Sequence, residues 1–300
     1  MSALAPNPET LAQALEQKFT GLGLLVVPGG AELKLLIQLG QVVEILRSDS
    51  QGRQSLPGTA WAASLAGLET APVSLIPTPG RWLTCERARF GLPPQSIDEN
   101  LSAVELGKRL APLNTQESAS LLHLRWSASQ AYLLVPGGKL ELRQALLLKD
   151  RQARHLSESE LFQEIGRGFC QCTVYQGGLE SDVWITLHLN LLFEFLCGHL
   201  LAQYGYLTGK VMVNSIVKNV LIYASQHDWD LTAASGCLSD QTCFTSQEEA
   251  QQAYQAMLHL IRRQMQSLAG TNIVSMIYNQ GLDRLNPFYL NLWKLTGLEA

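Results

Sequence analysis

Residues 183–202, with the sequence VWITLHLNLLFEFLCGHLLA, form the most apolar stretch of the chain and decide how the rest is interpreted. As a helix, the stretch is long enough to cross a bilayer. It also contains His188, Asn190, Glu194 and His199. Each of these side chains would cost on the order of a few kcal/mol at the centre of a membrane. The stretch therefore predicts a buried core helix of a soluble domain and no membrane span.

The chain after this stretch is predicted to be helical. Residues 210–226 place apolar side chains on one face at helical spacing. Ser246 and Glu249 have the spacing of a capping box, which predicts a helix that ends near Ala269 with Gly270 as its stop signal. The apolar face of residues 210–226 consists of Val213, Ile216, Val217, Val220, Leu221 and Ala224.

The C-terminal tail has the signals of a short amphipathic helix. Asn286 is a favourable N-cap, Pro287 suits the first helical position, and Gly297 follows as a stop signal. A helix of about ten residues does not persist alone in water, so we expect it to dock on the chain's own helices or on a second subunit. The candidate partner-contact residues on its apolar face are Phe288, Tyr289, Leu292 and Trp293.

The chain before residue 180 is predicted to contain strands. A helix over Thr10–Thr20 precedes two short strands, Gly23–Val27 and Ala31–Leu39. The Val-Pro-Gly-Gly segment between the strands is typical of a tight turn, because Pro presets φ and Gly tolerates positive φ. These signals predict a β-hairpin.

A similar segment recurs later in the chain. Leu24–Gly30 and Tyr132–Gly138 match at five of seven positions, 108 residues apart, and a charged alternating stretch follows each one, the second at Lys139–Arg143. The match predicts two similar hairpins. They are either two copies of one unit or a coincidence in a chain with 54 leucines.

These patterns predict an α+β protein with a strand-containing N-terminal part and a mostly helical C-terminal domain. Residues 1–112 are expected to form a mixed domain, 113–180 a second hairpin-containing segment and 181–300 the helical domain. Within the first half, Ser48–Gln95 is predicted to be loop-connected strand or irregular structure. Ser96 is predicted to cap a helix through Leu110, and Ser157 a further helix.

Composition excludes several classes of protein. Of 300 residues, 46% are apolar and only 16% are charged, with a net charge of −4 and a mean hydropathy of +0.04. A mildly acidic chain with a large apolar fraction is neither disordered nor a typical nucleic-acid binder. The first ten residues, MSALAPNPET, lack the features of a secretory signal, and the six cysteines are expected to be reduced thiols in the cytoplasm.

The strongest enzymatic candidate is a metal site formed by His199, His227 and Asp228. This set resembles metal-dependent phosphohydrolases of the HD type, in which a His on one helix and a His-Asp pair on the next hold a divalent metal that activates water. The alternative is that His227 and Asp228 simply end a helix. The basic and aromatic segment Arg81–Phe90 is predicted to be a solvated loop or a protein-contact patch rather than a nucleic-acid site.

No convergent set of ionisable residues stands out elsewhere, and the low charge suits a chain that buries surface in complexes. The sequence therefore predicts a non-catalytic, cytoplasmic regulatory, adaptor or assembly-factor protein that acts through protein contacts. Its expected partner is another protein or a second copy of itself in a homo-oligomer, with no cofactor and no nucleic acid. The alternative is the metal-dependent hydrolase.

Overall fold

The computed structural model describes residues 8–26, 32–50, 52–64, 73–137, 144–166, 168–234 and 237–298. These residues form an α+β fold with two antiparallel sheets in the N-terminal part and helices in the C-terminal part. The strands are β1 (Gly21–Val26), β2 (Glu32–Gln38), β3 (Gln41–Asp49), β4 (Gly52–Pro57), β5 (Val73–Pro77), β6 (Ser96–Leu101), β7 (Ser120–Trp126), β8 (Ser129–Val135), β9 (Gln144–Lys149), β10 (Gln152–Leu156), β11 (Cys170–Tyr175), β12 (Leu231–Ala234) and β13 (Cys237–Asp240). The helices are α1 (Pro8–Glu16), α2 (Trp61–Ser64), α3 (Gly80–Gly91), α4 (Ala103–Thr115), α5 (Glu158–Ile165), α6 (Asp182–Thr208), α7 (Lys210–Gln226), α8 (Gln247–Ala269), α9 (Thr271–Leu282) and α10 (Pro287–Thr296).

Two units of the N-terminal part share one order of elements. In the first unit, α1 leads into the antiparallel strands β1–β4, and β5 then pairs with β1 before α3 begins. The second unit repeats this order with α4, β7–β10, α5, β11 and α6, and β11 pairs with β7. The sheets run β4-β3-β2-β1-β5 and β10-β9-β8-β7-β11, and β6 is added beside β11.

The two Val-Pro-Gly-Gly segments occupy different positions in these units. The first lies between β1 and β2, whereas the second follows β8, the counterpart of β2. Both strand pairs are hairpins. Because the segments follow different strands of their units, the sequence match aligns strands that are not equivalent. Gly137 has a φ of +73°, as the predicted turn requires. Gly29 and Lys139–Arg143 lie outside the described residues.

Both sheets are covered on their two faces. The outer face of the first sheet packs on Leu11 of α1, and that of the second sheet packs on α4 and α5. The inner faces share one core with α3, α6 and the other long helices. The inner strands β2, β7 and β8 therefore bury residues on both sides, which explains their leucine-rich, weakly alternating sequences, whereas the edge strand β4 and the added strand β6 have no buried residue.

The helical part follows the predicted signals closely. α6 is long and apolar enough to cross a membrane, and 78% of its most apolar window is buried inside the protein. Gly209 (φ +87°) joins α6 to α7, and Gly270 (φ +81°) joins α8 to α9. The Asn286 side chain accepts a hydrogen bond from the Tyr289 amide and so caps α10 as expected. Local capping and stop signals are sufficient to place these helices.

Residues 80–115 differ from the sequence prediction. α3 lies within the stretch predicted to be loop-connected strand or irregular structure, and Ser96 begins β6 rather than a helix. The N-cap of the next helix is Ser102, which forms a capping box with Glu105. In this arrangement the apolar side chains of Ile97 and Val104 are 57% and 69% exposed. The domain boundary predicted at residue 112 falls inside α4.

Candidate functional site

The basic and aromatic segment Arg81–Phe90 forms most of the buried helix α3. The prediction of a solvated loop or contact patch is therefore wrong. α3 packs against β1, β7 and α6. Trp82 is fully buried, and the charged side chains of Arg81, Glu86 and Arg87 belong to residues that are at most 9% exposed. These charges tolerate burial because each contacts polar groups on other elements.

Arg81 joins α3 to α6 and β13. Its guanidinium forms an ion pair with the Glu194 carboxylate, and its Nη2 donates to the main-chain oxygen of Asp240 over 3.1 Å. The same Glu194 carboxylate accepts a hydrogen bond from the Asp240 amide over 2.9 Å. Since the two side chains are 1% and 5% exposed, removal of either would leave a buried charge without its counter-ion.

The Asp240 carboxylate is the centre of a second set of hydrogen bonds. Its Oδ1 accepts from the Thr242 amide and hydroxyl over 2.9 and 2.6 Å. Its Oδ2 accepts from the Tyr254 hydroxyl over 2.6 Å and from Asn190 Nδ2 over 3.1 Å. Burial raises the pKa of Asp240 and raises that of Tyr254 well above its usual value. These bonds connect α6, β13 and α8, and the protein itself supplies all four donors.

Glu86 on α3 is the centre of a further buried cluster. Burial would raise the pKa of its carboxyl, but Lys34 Nζ at 3.5 Å and Arg89 Nη2 at 2.8 Å together hold that pKa at about 2. His123 on β7 lies nearby, and burial lowers its pKa to about 4. The imidazole stacks on the Tyr132 ring with centroids 5.0 Å apart. This cluster connects α3 to both sheets.

Both clusters thus use their charged groups to join elements of the protein to one another. Among the described residues, no group of three or more His, Cys, Asp or Glu side chains could hold a metal ion. The cysteines, all of which are described, are free thiols. The chemical groups of the two clusters hold α3 in place between the two sheets and the helical part.

The residues of the predicted metal site lie in separate surroundings. His199 Nε2 donates to a main-chain oxygen of α9 over 3.1 Å, and burial lowers the pKa of this imidazole. His227 follows the end of α7 and stacks on Trp229 with centroids 4.8 Å apart. His199 lies ten residues before the α6–α7 turn and His227 eighteen after it, so they are offset by about 12 Å along the helices. The structure does not bring His199 together with His227 and Asp228.

His227 and Asp228 line a cleft of about 590 Å³ between the end of α7 and the first sheet. Lys18 Nζ lies 4.0 Å from the Asp228 carboxylate. Glu249, also in the cleft, accepts hydrogen bonds from the amide and hydroxyl of Thr245 over 3.0 and 2.7 Å. The charged groups that line this cleft are therefore paired with their neighbours.

A second cavity, a groove of about 990 Å³, lies between α6 and α7 and is bordered by the β12–β13 hairpin. Its lining is mainly apolar and includes Leu201, Val213 and Val217. Gly198 also lines it, and a Cβ atom added there would meet no atom within 4 Å. Cys237 at the rim is exposed, whereas the other five cysteines are buried. An open groove of this volume with a mainly apolar lining is a candidate site for an apolar ligand.

The α6–α7 turn and the α8–α9 turn lie at the same end of the helical bundle. Asn190 on α6 donates to the Tyr254 hydroxyl on α8 over 3.2 Å, and Asn219 on α7 donates to Gln264 on α8 over 3.0 Å. At about 1.5 Å per residue, Asn190 lies about 28 Å before the α6–α7 turn and Tyr254 about 24 Å before the α8–α9 turn. The turns are therefore nearly level, and we call the surface that they form the distal end.

Exposed apolar side chains concentrate at this distal end. Of the eleven large hydrophobic residues that are exposed in the described part of the chain, five lie within three residues of Gly209 or Gly270, and a sixth, Met276, lies six residues after Gly270 in α9. Such a concentration is unusual, since single exposed apolar residues are normally scattered. The six residues, with their exposed fractions, are Tyr206 (85%), Leu207 (59%), Val211 (80%), Leu268 (60%), Ile273 (41%) and Met276 (53%).

The predicted partner-contact residues of α10 dock on the chain's own helices. This is one of the two expected outcomes, the other being docking on a second subunit. Tyr289 and Leu292 are 1% and 0% exposed, and Phe288 and Trp293 are half-buried. The Tyr289 hydroxyl and His188 Nδ1 of α6 share a hydrogen bond of 2.7 Å. Tyr289 and Leu292 are thus part of the chain's own core.

Sequence reasoning did not identify the groove or the distal end, although one signal was present. The predicted apolar face of α7 omits Val211 and Ile222, and both are exposed in the structure. Apolar residues outside a helix's buried face are the pattern that marks a contact surface. In comparisons with known proteins, no protein-family model, no curated protein and no solved structure matches this chain.

Proposed function

We propose that this protein is a non-catalytic, cytoplasmic regulatory, adaptor or assembly factor, and that the α6–α7 groove receives an apolar helix of a protein partner. The observation that carries the proposal is the groove itself, which is apolar, open and about 990 Å³ in volume. A helix about 10 Å across fills about 120 Å³ per residue, so this volume corresponds to about two helical turns. Helices commonly bind proteins by laying an apolar face into such a groove.

The buried charges support the same proposal. Arg81, Glu194, Asp240 and Glu86 serve contacts between elements, which leaves apolar surface as the means of recognition. A second copy of the chain is the first partner to test, because a low-charge surface favours self-association. The two units of like topology are proposed to be copies of one unit, and the groove belongs to the helices added after them.

Two matched substitutions test the groove. Gly198 on α6 and Gly107 on α4 are both helical glycines at which a Cβ atom would meet no atom within 4 Å. Gly198→Leu fills part of the groove, whereas Gly107→Leu adds the same side chain far from it. Both changes should leave the fold intact, since Leu favours helix more than Gly does.

The exposed thiol of Cys237 provides a probe at the rim of the groove. A photo-crosslinker attached to this thiol should capture one protein from the extract of the source cells with the wild type and with Gly107→Leu. It should not capture that protein with Gly198→Leu. Capture of a second copy identifies a homo-oligomer, and light scattering should then show the same pattern among the variants.

Equal capture by all three proteins, or capture by none, would contradict the groove proposal. Metal analysis of the purified protein addresses the hydrolase alternative. Stoichiometric manganese, iron or zinc that is lost from His199→Ala, His227→Ala or Asp228→Ala would favour a metal-dependent hydrolase instead.

A further inference from the structure

The distal end combines its exposed apolar side chains with charge of one sign. Residues 195–227 and 250–282, which form the distal parts of the two helical hairpins, contain no Asp or Glu. They contain Lys210, Lys218, Arg262 and Arg263. These segments therefore carry a net positive charge, although the net charge of the whole chain is −4. The rest of the protein is correspondingly more negative than the net charge of the whole chain.

The basic residues are placed to act together with the apolar ones. Lys210 follows the α6–α7 turn directly and is exposed. Lys218 and Arg263 are also exposed and lie about 12 and 10 Å along their helices from the turns. This separation is close to the Debye length of about 8–10 Å at physiological salt, so their field still reaches a surface in contact with the turns.

The shape of the distal end favours a bilayer over another protein. Tyr206 and Val211 are 85% and 80% exposed, values that side chains reach only where they protrude. A protein partner would need a hollow that matches two projecting turns, whereas a fluid bilayer accepts any protruding apolar group. Apolar side chains beside lysine and arginine are the combination by which peripheral proteins bind anionic lipid surfaces.

We propose that the distal end docks peripherally on an anionic membrane surface. Tyr206, Leu207, Val211, Leu268 and Ile273 enter the boundary between headgroups and acyl chains, and Lys210, Lys218 and Arg263 face the anionic headgroups. The bundle then stands end-on to the membrane, with α6 and α7 running away from it. This contact shares Tyr206, Lys210 and Lys218 with the lining of the α6–α7 groove. Val211 and Ile273 do not line the groove, and Gly198 is not part of the distal end, so substitutions at these residues test the two proposals separately.

Co-sedimentation with lipid vesicles tests this docking directly. The probes are vesicles of phosphatidylcholine alone and vesicles of phosphatidylcholine mixed with phosphatidylglycerol, each at low and high salt. We expect the full-length protein to bind the mixed vesicles at low salt, to bind them less at high salt, and to bind phosphatidylcholine alone weakly.

Matched substitutions distinguish binding through the distal end from nonspecific association with lipid. Val211→Asp with Ile273→Asp should abolish binding, whereas Ile97→Asp with Val104→Asp changes two comparably exposed residues elsewhere and should not. Lys210→Glu should weaken binding about 25-fold, since each unit of charge near an anionic surface contributes about a fivefold factor and this change alters the charge by two units. Lys108→Glu, an exposed residue on α4, should bind as the wild type does. Thermal melting of each variant checks that its fold is retained.

Three results would overturn the proposal. The first is no binding to either kind of vesicle, and the second is equal loss in the distal and control variants. The third is binding to phosphatidylcholine alone that equals binding to the mixed vesicles, because it would remove the role of the charges. If the wild type ignores vesicles and forms a dimer that Val211→Asp with Ile273→Asp dissolves, the distal end is a self-association surface.

Discussion

Replacing Glu86 with Gln should destabilise the protein strongly at neutral pH and progressively less as the pH falls. The Glu86 carboxyl is fully buried, and Lys34 and Arg89 outweigh the effect of burial and hold its pKa at about 2, below its ordinary value of 4.5. At about 1.4 kcal/mol for each pKa unit, the ionised carboxylate contributes about 3 kcal/mol to the free energy of unfolding at pH 7. Gln has a similar shape but no charge, so this contribution is lost: the half-buried Arg89 loses its carboxylate partner, and Lys34 keeps only Glu32 at 3.7 Å.

The pH dependence gives the prediction its sign. A carboxyl whose pKa is lowered by folding stabilises the protein fully above its unfolded pKa, and the stability is lost as the pH falls through the folded pKa. The difference between the wild type and Glu86→Gln should therefore be constant above about pH 5 and shrink between pH 4.5 and 2. His123, with its pKa near 4, lowers the stability of the wild type between pH 6.5 and 4, which is a largely separate window.

Urea titration followed by tryptophan fluorescence measures this effect, since Trp82 lies on the same helix. Glu117→Gln, a change at an exposed residue, is the control and should alter the free energy of unfolding by less than about 0.5 kcal/mol. A loss below about 1 kcal/mol for Glu86→Gln, or a difference that does not change between pH 5 and 3, would refute the reasoning.

Three further predictions follow from the same structure. Gly137→Val should lower the free energy of unfolding by more than about 1 kcal/mol, because φ at Gly137 is +73° and a Cβ atom there would lie 2.6 Å from main-chain oxygens of Gln116 and Ser118. The control is Gly107→Ala, at an open helical site, which should not lower the melting temperature. Deletion of residues 286–300 should make the protein insoluble or clearly less stable in thermal melts, because it uncovers the core beneath Tyr289 and Leu292; an unchanged melting temperature would contradict the packing of α10. His227→Ala and Asp228→Ala should each change stability by less than about 1 kcal/mol in urea titrations, as expected for exposed residues at a helix end, and a larger loss would assign them a structural role.

The elements that could be predicted are those whose signals are local. Asn286, Pro287 and Gly297 lie at the two ends of α10, as their chemistry requires, and Ser246 caps α8. Capping and stop residues act within one turn of the chain, so the sequence around them is sufficient. The coarse division into strand-containing and helical parts depends on the same local patterns and is confirmed.

The elements that could not be predicted depend on distant residues. In the sequence, the charges of α3 indicated solvent exposure. Their partners, such as the Asp240 main chain for Arg81, could not be recognised because they lie up to 159 residues away in the sequence. The two Val-Pro-Gly-Gly segments suggested equivalent hairpins, but strand pairing places them one strand apart. The distal end was missed because it is formed by two turns that are adjacent only in three dimensions, although Val211 outside the buried face of α7 pointed to it.

The contacts of the N-terminal part with Cys243 and Thr245 have a consequence for how the protein is made. The Gln38 side chain of β2 accepts a hydrogen bond from the Cys243 amide, 205 residues later in the chain, and Arg87 donates to the main chain of Thr245. At about 5–20 residues per second, the ribosome needs roughly 10–40 s to synthesise the intervening residues. During this interval the inner face of the first sheet lacks its final cover, and Arg87 lacks the main-chain acceptors that hold it in the finished protein. Closure of the core must therefore follow synthesis of the chain as far as Thr245. Long-range contacts of this kind slow folding, and until they form the apolar inner face of the sheet is open to aggregation.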